Sequence, residues 1–184
     1  MNQSQIGGFL LQVGHTSEFD RSVLTLAREL LDLVFEGEMT DHDWEHALGG
    51  VHTVVWHGDS IVGHASAIQR RLMHNGRSLR TGYIEGVGVH PNRQRQGIGG
   101  IMMSVLEHVI DTAYDIGALG ASDEAVSLYS HRGWIRWQGP TSALTPSGVV
   151  RTPDEDDCIF VWPAGKALDI TGELTCDWRD GDVW

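Results

Sequence analysis

The sequence predicts a mixed α/β domain, with helices flanking one central sheet. Three observations carry this. Segments with apolar residues at helical spacing alternate with short β-branched runs. Gly58-Asp59 and Asn75-Gly76 mark tight turns between strands in the middle of the chain. A glycine-rich turn joins a strand ending at Val89 to an apolar helix. The 184 residues suffice for one domain, residues 1–184, and 41% hydrophobic content with seven tryptophans fits an ordered core.

The elements follow in order. The stretch SEFDRSVLTLARELLDLVFEGE places Val23, Leu26, Ala27, Leu30, Leu31 and Val34 on one helical stripe, with Ser17 or Asp20 as cap. MTDHDWEHALGG predicts a second, short helix: Thr40 caps it, Asp43 stands three residues on, and Gly49-Gly50 stop it. Strands at Thr53–Trp56 and Ile61–Arg70 form a hairpin. SLRTGYIEGVGV is a strand whose internal glycines predict a bulge or a close backbone approach. IMMSVLEHVIDTAYDIG is an amphipathic helix ending at Gly117. ALGAS predicts a short buried strand, SDEAVSLYSHRG a capped helix ending at Gly133, and WIRWQG and DCIFVWP a final strand pair. The residues before the first helix carry no further element in this reading.

Charge narrows the partners. The net charge is −12 and uneven. Glu36–Glu45 holds five acids and no lysine or arginine; Asp154–Trp184 holds nine acids against Lys166 and Arg179. Such a surface repels nucleic acid and anionic lipid, and attracts a polycation. The two cysteines, Cys158 and Cys176, form no metal knuckle or disulfide framework. MNQSQIGGFLLQVGH has neither a basic start nor a long apolar run, so a cytoplasmic protein is the expectation.

One place favours an anion. Gly97 and Gly99 sit where a strand gives way to a helix, so backbone N–H groups converge without Cβ clashes. The helix N-terminus adds partial positive charge, and Arg93 and Arg95 add full charges. Neither a dinucleotide-binding G-x-G-x-x-G nor a G-K-[ST] loop is present. The spacing Gln94-x-x-Gly97-x-Gly99 resembles the R/Q-x-x-G-x-G/A loop of the GNAT acetyltransferases, and the α-α-β-β-β order before it is similar as well. The segments DHDWEHALGGVH, AIQRRL, GYIEGVGV, LYSHRGW, GPTSALTPSG, RTPDEDD and CDWRDGDVW resemble the aminoglycoside 2′-N-acetyltransferases within that superfamily, over roughly Phe35 to Trp184.

The resemblance implies a GNAT acyl-CoA N-acyltransferase fold, a homodimer, and acetyl transfer from acetyl-CoA to an aminoglycoside 2′-amine, conferring antibiotic resistance. It implies that the loop Arg93, Gln94, Arg95, Gln96, Gly97, Ile98, Gly99, Gly100 holds the pyrophosphate. The N–H of Val87 would bond the thioester carbonyl and the developing oxyanion, with Gly88 and Val89 carrying the pantetheine arm. Glu85 would act on the substrate amine through water. A free Glu, with a pKa of about 4.3, is a poor base for an amine, so Glu85 is expected to orient the amine and drain its proton. Tyr129 would face the sulfur as general acid. A Tyr pKa of about 10 exceeds a thiol's ~8.5, so its expected part is to stabilise developing thiolate. Glu38, Asp43, Glu85, Gly86, Gly120, Glu155, Asp182 and the carboxylate of Trp184 are the expected substrate contacts. Glu38 and Glu155 stand where aspartates are commoner in the family, and Gly120 where some members use serine.

His42-x-x-Glu45-His46 matches an H-x-x-E-H zinc pattern, but Gly49-Gly50 end the helix and no third-ligand helix follows, so no metal is expected. Two other readings stay open. One keeps the chemistry with a cell-wall aminosugar or polyamine as acceptor. The other is a non-catalytic module that sequesters cations or metal.

Overall fold

The computed structural model describes all 184 residues, Met1 to Trp184. The chain divides into two compact units, residues 1–68 with 84–108, and residues 69–83 with 109–184. Strands β4 (Ser60–His74) and β5 (Arg77–Val89) and helix α3 (Ile98–Ala113) contribute to both.

The first unit opens on a hairpin that the sequence reading passed over: β1 (Asn2–Ile6) pairs antiparallel with β2 (Phe9–His15). Gly7 and Gly8 turn between them at φ 56° and 87°, the pair of positive angles a two-residue hairpin needs. Strand β2 pairs with β3 (Val51–His57), and β3 with β4, all antiparallel. Helix α1 (Arg21–Val34) buries Ala27, Leu30 and Leu31 against this sheet and leaves Leu26 exposed. Asp20 is its N-cap by position but makes no side-chain cap bond, and Ser17 lies in a preceding 3-10 turn. Helix α2 (Asp41–His46) carries the expected reciprocal cap between Thr40 and Asp43.

The second unit contains the parallel pair β5/β6 (Ile116–Gly120), then β10 (Ile159–Trp162) and β7 (Ile135–Arg136), each antiparallel to its neighbour. Strand β11 (Leu174–Asp177) pairs antiparallel with β4 and parallel with β8 (Thr141–Thr145), which pairs with β9 (Gly148–Arg151). The sheet is therefore mixed. Its core gathers Leu72, Tyr83, Ile116, Trp137, Ile159, Leu174 and Trp184.

Two boundaries correct the sequence reading. Helix α3 stops at Ala113, and Gly117 lies inside β6. Asp115 leaves the helix because its N–H bonds the Arg80 carbonyl at 2.7 Å and its carboxylate takes the Arg80 N–H at 2.9 Å. Helix α4 (Val126–Arg132) has Ala125 at its N-cap with no side-chain cap bond, and ends as expected at Gly133, φ 96°.

Candidate active site

The first unit builds the anion cradle. Strand β5 ends at Val89, and a 3-10 turn over Pro91–Arg93 carries the chain towards α3. The His90 N–H bonds the Val62 carbonyl at 2.9 Å, which fixes where the turn leaves β4. Gly97 takes φ 81°, with no atom within 4 Å of where a Cβ would stand. Its glycine is required by backbone conformation rather than by crowding. Ile98, Gly99 and Gly100 form the first turn of α3, whose amides lack acceptors within the helix. Gln94 reaches back to the Val89 carbonyl at 3.4 Å, and Gln96 to the Asn92 carbonyl at 3.4 Å. These two side chains brace the loop, which leaves backbone amides as the donors open to an anion. Arg93 donates to His57 at 3.1 Å beside a cleft of about 220 Å³ lined by His57, Ser60, Val62, His90, Asn92 and Arg93. Arg95 lies exposed with φ 59°. A pyrophosphate fits this set: free helical amides, two guanidinium groups, and a loop open to solvent.

Just upstream, β5 departs from regular strand geometry at one of its glycines. Gly86 has φ 54°, and its carbonyl accepts from His64 Nδ1 at 2.8 Å. The Glu85 carbonyl accepts from Ser66 Oγ at 3.4 Å. A Cβ on Gly88 would stand 2.6 Å from Leu31, so glycine there lets α1 close onto β5, the close approach the glycines predict. Glu85, Gly86, Val87 and Val89 are half-buried, and Gly88 is buried. Burial holds the His64 pKa down to about 4, and burial with the neighbouring His64 charge holds His52 at about 3.

Of the expected substrate acids in this unit, Glu38 is exposed beyond α1. Asp43 spends Oδ2 on the Thr40 N–H at 2.8 Å and the Thr40 hydroxyl at 2.9 Å. His42 and Glu45 approach to 4.0 Å, and no group of three or more metal-binding side chains forms.

The second unit brings together Glu155, Asp182 and Trp184. Glu155 ends a 3-10 turn, and its carboxyl pKa is raised by burial first, then by Asp182 and Asp154. Trp184 is 5% exposed; its indole N–H bonds Thr152 Oγ1 at 2.8 Å and its backbone N–H bonds Asp182 at 3.0 Å. Arg179 Nη2 donates to the Trp184 oxygen, and Arg179 Nε to the Asp182 carbonyl at 2.8 Å. Arg70 Nη2 donates to the Val183 carbonyl at 2.7 Å and the Asp177 carbonyl at 2.9 Å. Arg70 and Arg179 also stand over the Tyr83 ring, 4.7 and 5.5 Å from its centroid. The tail is thus pinned by two arginines that the sequence reading did not single out.

Tyr129 on α4 is 4% exposed, with Trp134 and Phe160 as ring neighbours at 6.0 and 6.3 Å, and burial raises its phenol pKa to about 12. Gly120 is exposed at the end of β6; a Cβ there would make only an ordinary 3.8 Å contact with the Tyr83 hydroxyl.

This arrangement has clear relatives. The family described as Acetyltransferase (GNAT) domain matches residues 18–136. The chain belongs to the GNAT acetyltransferases. A curated relative, the aminoglycoside 2′-N-acetyltransferase of Mycolicibacterium fortuitum, is 47% identical over 97% of this chain and 94% of its own length. Among solved structures, Escherichia coli ElaA superposes with a TM-score of 0.59 at 22% identity, covering 83% of this chain and 97% of its own. A GNAT family acetyltransferase from Brucella melitensis, solved with acetyl-CoA, gives 0.59 at 14% identity, covering 89% of this chain and 94% of its own. The two structures share the GNAT fold with this chain.

Proposed function

We propose that this GNAT chain transfers the acetyl group of acetyl-CoA to the 2′-amine of aminoglycosides, acting as one catalytic domain over residues 1–184. The observation that carries the reading is the 47% identity to the Mycolicibacterium fortuitum enzyme along nearly the whole chain.

When bound, acetyl-CoA supplies an activated thioester. The loop Arg93–Gly100 holds its pyrophosphate on backbone amides, with Arg93 and Arg95 adding charge. The Val87 N–H bonds the thioester oxygen where negative charge develops, and Gly88 and Val89 hold the pantetheine arm. Glu85 orients the acceptor amine and passes its proton to water. Tyr129 keeps its proton at every physiological pH, because its pKa of about 12 lies far above a thiol's. It therefore serves as a fixed hydrogen-bond donor to the departing sulfur. Glu38, Asp43, Glu155, Asp182 and Trp184 draw in the ammonium groups of the drug. Gly86 and Gly120 shape its seat. A glycine at 120 leaves room that a serine would occupy, which shifts drug preference without closing the site. A cytoplasmic homodimer completes the reading.

The test is thiol release from acetyl-CoA with a panel of amines. Tobramycin and gentamicin, which carry 2′-amines, are expected to turn over. A polyamine or cell-wall aminosugar turned over faster than either drug would replace the acceptor assignment.

A further inference from the structure

His52 and His64 lie on β3 and β4, and the register places them diagonally across the pair: His52 faces Ser66, and His64 faces Val54. Both side chains are completely buried. Their rings are 5.2 Å apart, walled by Phe19 at 5.7 Å and Trp44 at 5.9 Å. A buried imidazole pair in an apolar wall costs desolvation, and this one sits directly against Gly86 of β5.

The hydrogen bonds run in one direction only. The Gly86 carbonyl can only accept, so His64 Nδ1 carries the proton of the 2.8 Å bond. Burial keeps both rings neutral at physiological pH. His64 Nε2 is then a lone pair, so His52 Nδ1 donates to it at 2.9 Å. His52 Nε2 must accept in turn, and the Thr16 hydroxyl donates to it at 2.7 Å. Thr16 Oγ1 accepts from the Gly49 N–H at 2.7 Å, which ties the far end of the chain to the turn after α2.

This chain ends on a carbonyl, so it cannot deliver a proton to a reacting atom. Its effect is geometric. The Glu85 and Gly86 carbonyls both take hydrogens from β4 side chains, Ser66 and His64. Successive carbonyls of a regular strand point opposite ways, and the positive φ of Gly86 permits the departure. In a planar trans peptide the C=O and the following N–H point in opposite directions. Holding the Gly86 carbonyl on His64 therefore aims the Val87 N–H away from the His64 ring.

Resting on the acetyltransfer reading above, we infer that His64 is a positioning residue. Locked in one tautomer by His52 and Thr16, it fixes the Gly86–Val87 peptide so that the Val87 N–H is preorganised for the oxyanion. An electrostatic donor is effective because it needs no reorientation as charge develops. A side-chain donor on the reverse side of the same peptide supplies that rigidity.

The experiment compares His64→Phe, which keeps a ring but loses the donor, with His64→Asn, whose amide nitrogen can take the Nδ1 place. Loss of a full oxyanion donor costs ~100–1,000-fold in kcat. A donor left loose is expected to cost about 10–100-fold in the Phe variant. KM for both substrates and acetyl-CoA affinity should stay within about twofold, because the interaction strengthens only in the transition state. Asn is expected to recover most of the loss. Full activity in the Phe variant, or equal losses in Phe and Asn, overturns the inference. Nitrogen-15 NMR of wild-type histidines provides a check that needs neither variant nor turnover: both rings should be Nδ1–H tautomers, and an Nε2–H tautomer at His64 overturns the chain. A wild-type protein with this tautomer pattern but no acetyl transfer would instead overturn the acetyltransfer reading.

Discussion

Tyr129 is a core residue to which the proposed reaction also gives a part. Its ring is part of an aromatic wall with Trp134 and Phe160, the usual fate of a helical tyrosine beside a leucine. Burial raises its pKa to about 12, which removes it as a proton donor in equilibrium with a thiol near 8.5 but makes it a permanent hydrogen-bond donor. Tyr129→Phe should lower kcat about 10- to 100-fold, with either KM changed less than about twofold, since the phenol matters only as thiolate develops. Steady-state kinetics checks this, and equal turnover leaves Tyr129 as core alone. Glu85, Tyr129 and the acid residues are candidates because a resemblance points to them. His52, His64 and Arg70 were not legible, because each works through a partner distant in sequence, and neither was Arg179, although it bonds Asp182 and Trp184 close by. Arg70 meets Val183 across 113 positions. The available signal was a histidine at an inward-facing strand position, in VHTVVW and again in VGHASA.

At the scale of elements, local chemistry was read well and long-range pairing was not. The Thr40–Asp43 cap, the Asn75-Gly76 turn at φ 49° and 71°, and the Gly133 stop are dictated by residues within four positions. Strands β8, β9 and β11 escaped notice because β11 gains its place by pairing with β4 about a hundred residues earlier. The end of α3 was misjudged because Asp115 is captured by Arg80 and, at 2.6 Å, by Lys166. The cradle itself gives a sharp prediction. In Gly97→Val the Cβ meets no neighbouring atom, but the residue must adopt a left-handed conformation, at about 1–3 kcal/mol. If the loop relaxes to escape that strain, its amides leave the pyrophosphate. Acetyl-CoA affinity is expected to fall at least about 10-fold by calorimetry, with the melting temperature little changed because the loop is exposed. Unchanged affinity in a folded variant contradicts the cradle.

For the whole molecule the question is where the −12 charge acts. Asp156 is paired with Arg151, which holds its pKa at about 2, and Asp177 is paired with Arg70. The long-range field near the tail therefore comes from fewer acids than the sequence counts. Tail docking rests on a different term. A buried tryptophan removes about 150–250 Å² from water, several kcal/mol at ~25 cal/mol per Å², against about 0–1 kcal/mol for an exposed ion pair. Salt should then weaken drug binding steeply, over a Debye length of about 8 Å, and leave the tail docked. Glu155→Gln with Asp182→Asn should mimic high salt with little change in melting temperature, whereas removing Asp182–Trp184 should also destabilise the fold. Titrations at two salt concentrations with thermal melts check both, and wild-type drug affinity in the double variant removes these residues from the substrate site. The central claim is regiochemical, and one measurement addresses it most directly: purify the product formed from tobramycin and acetyl-CoA, and locate the new acetyl group by two-dimensional NMR, with kanamycin A run in parallel. The account predicts a single acetyl on the 2′-nitrogen of tobramycin and little or no product from kanamycin A, which has a 2′-hydroxyl. Acetyl on any other nitrogen, or comparable turnover of kanamycin A, contradicts it.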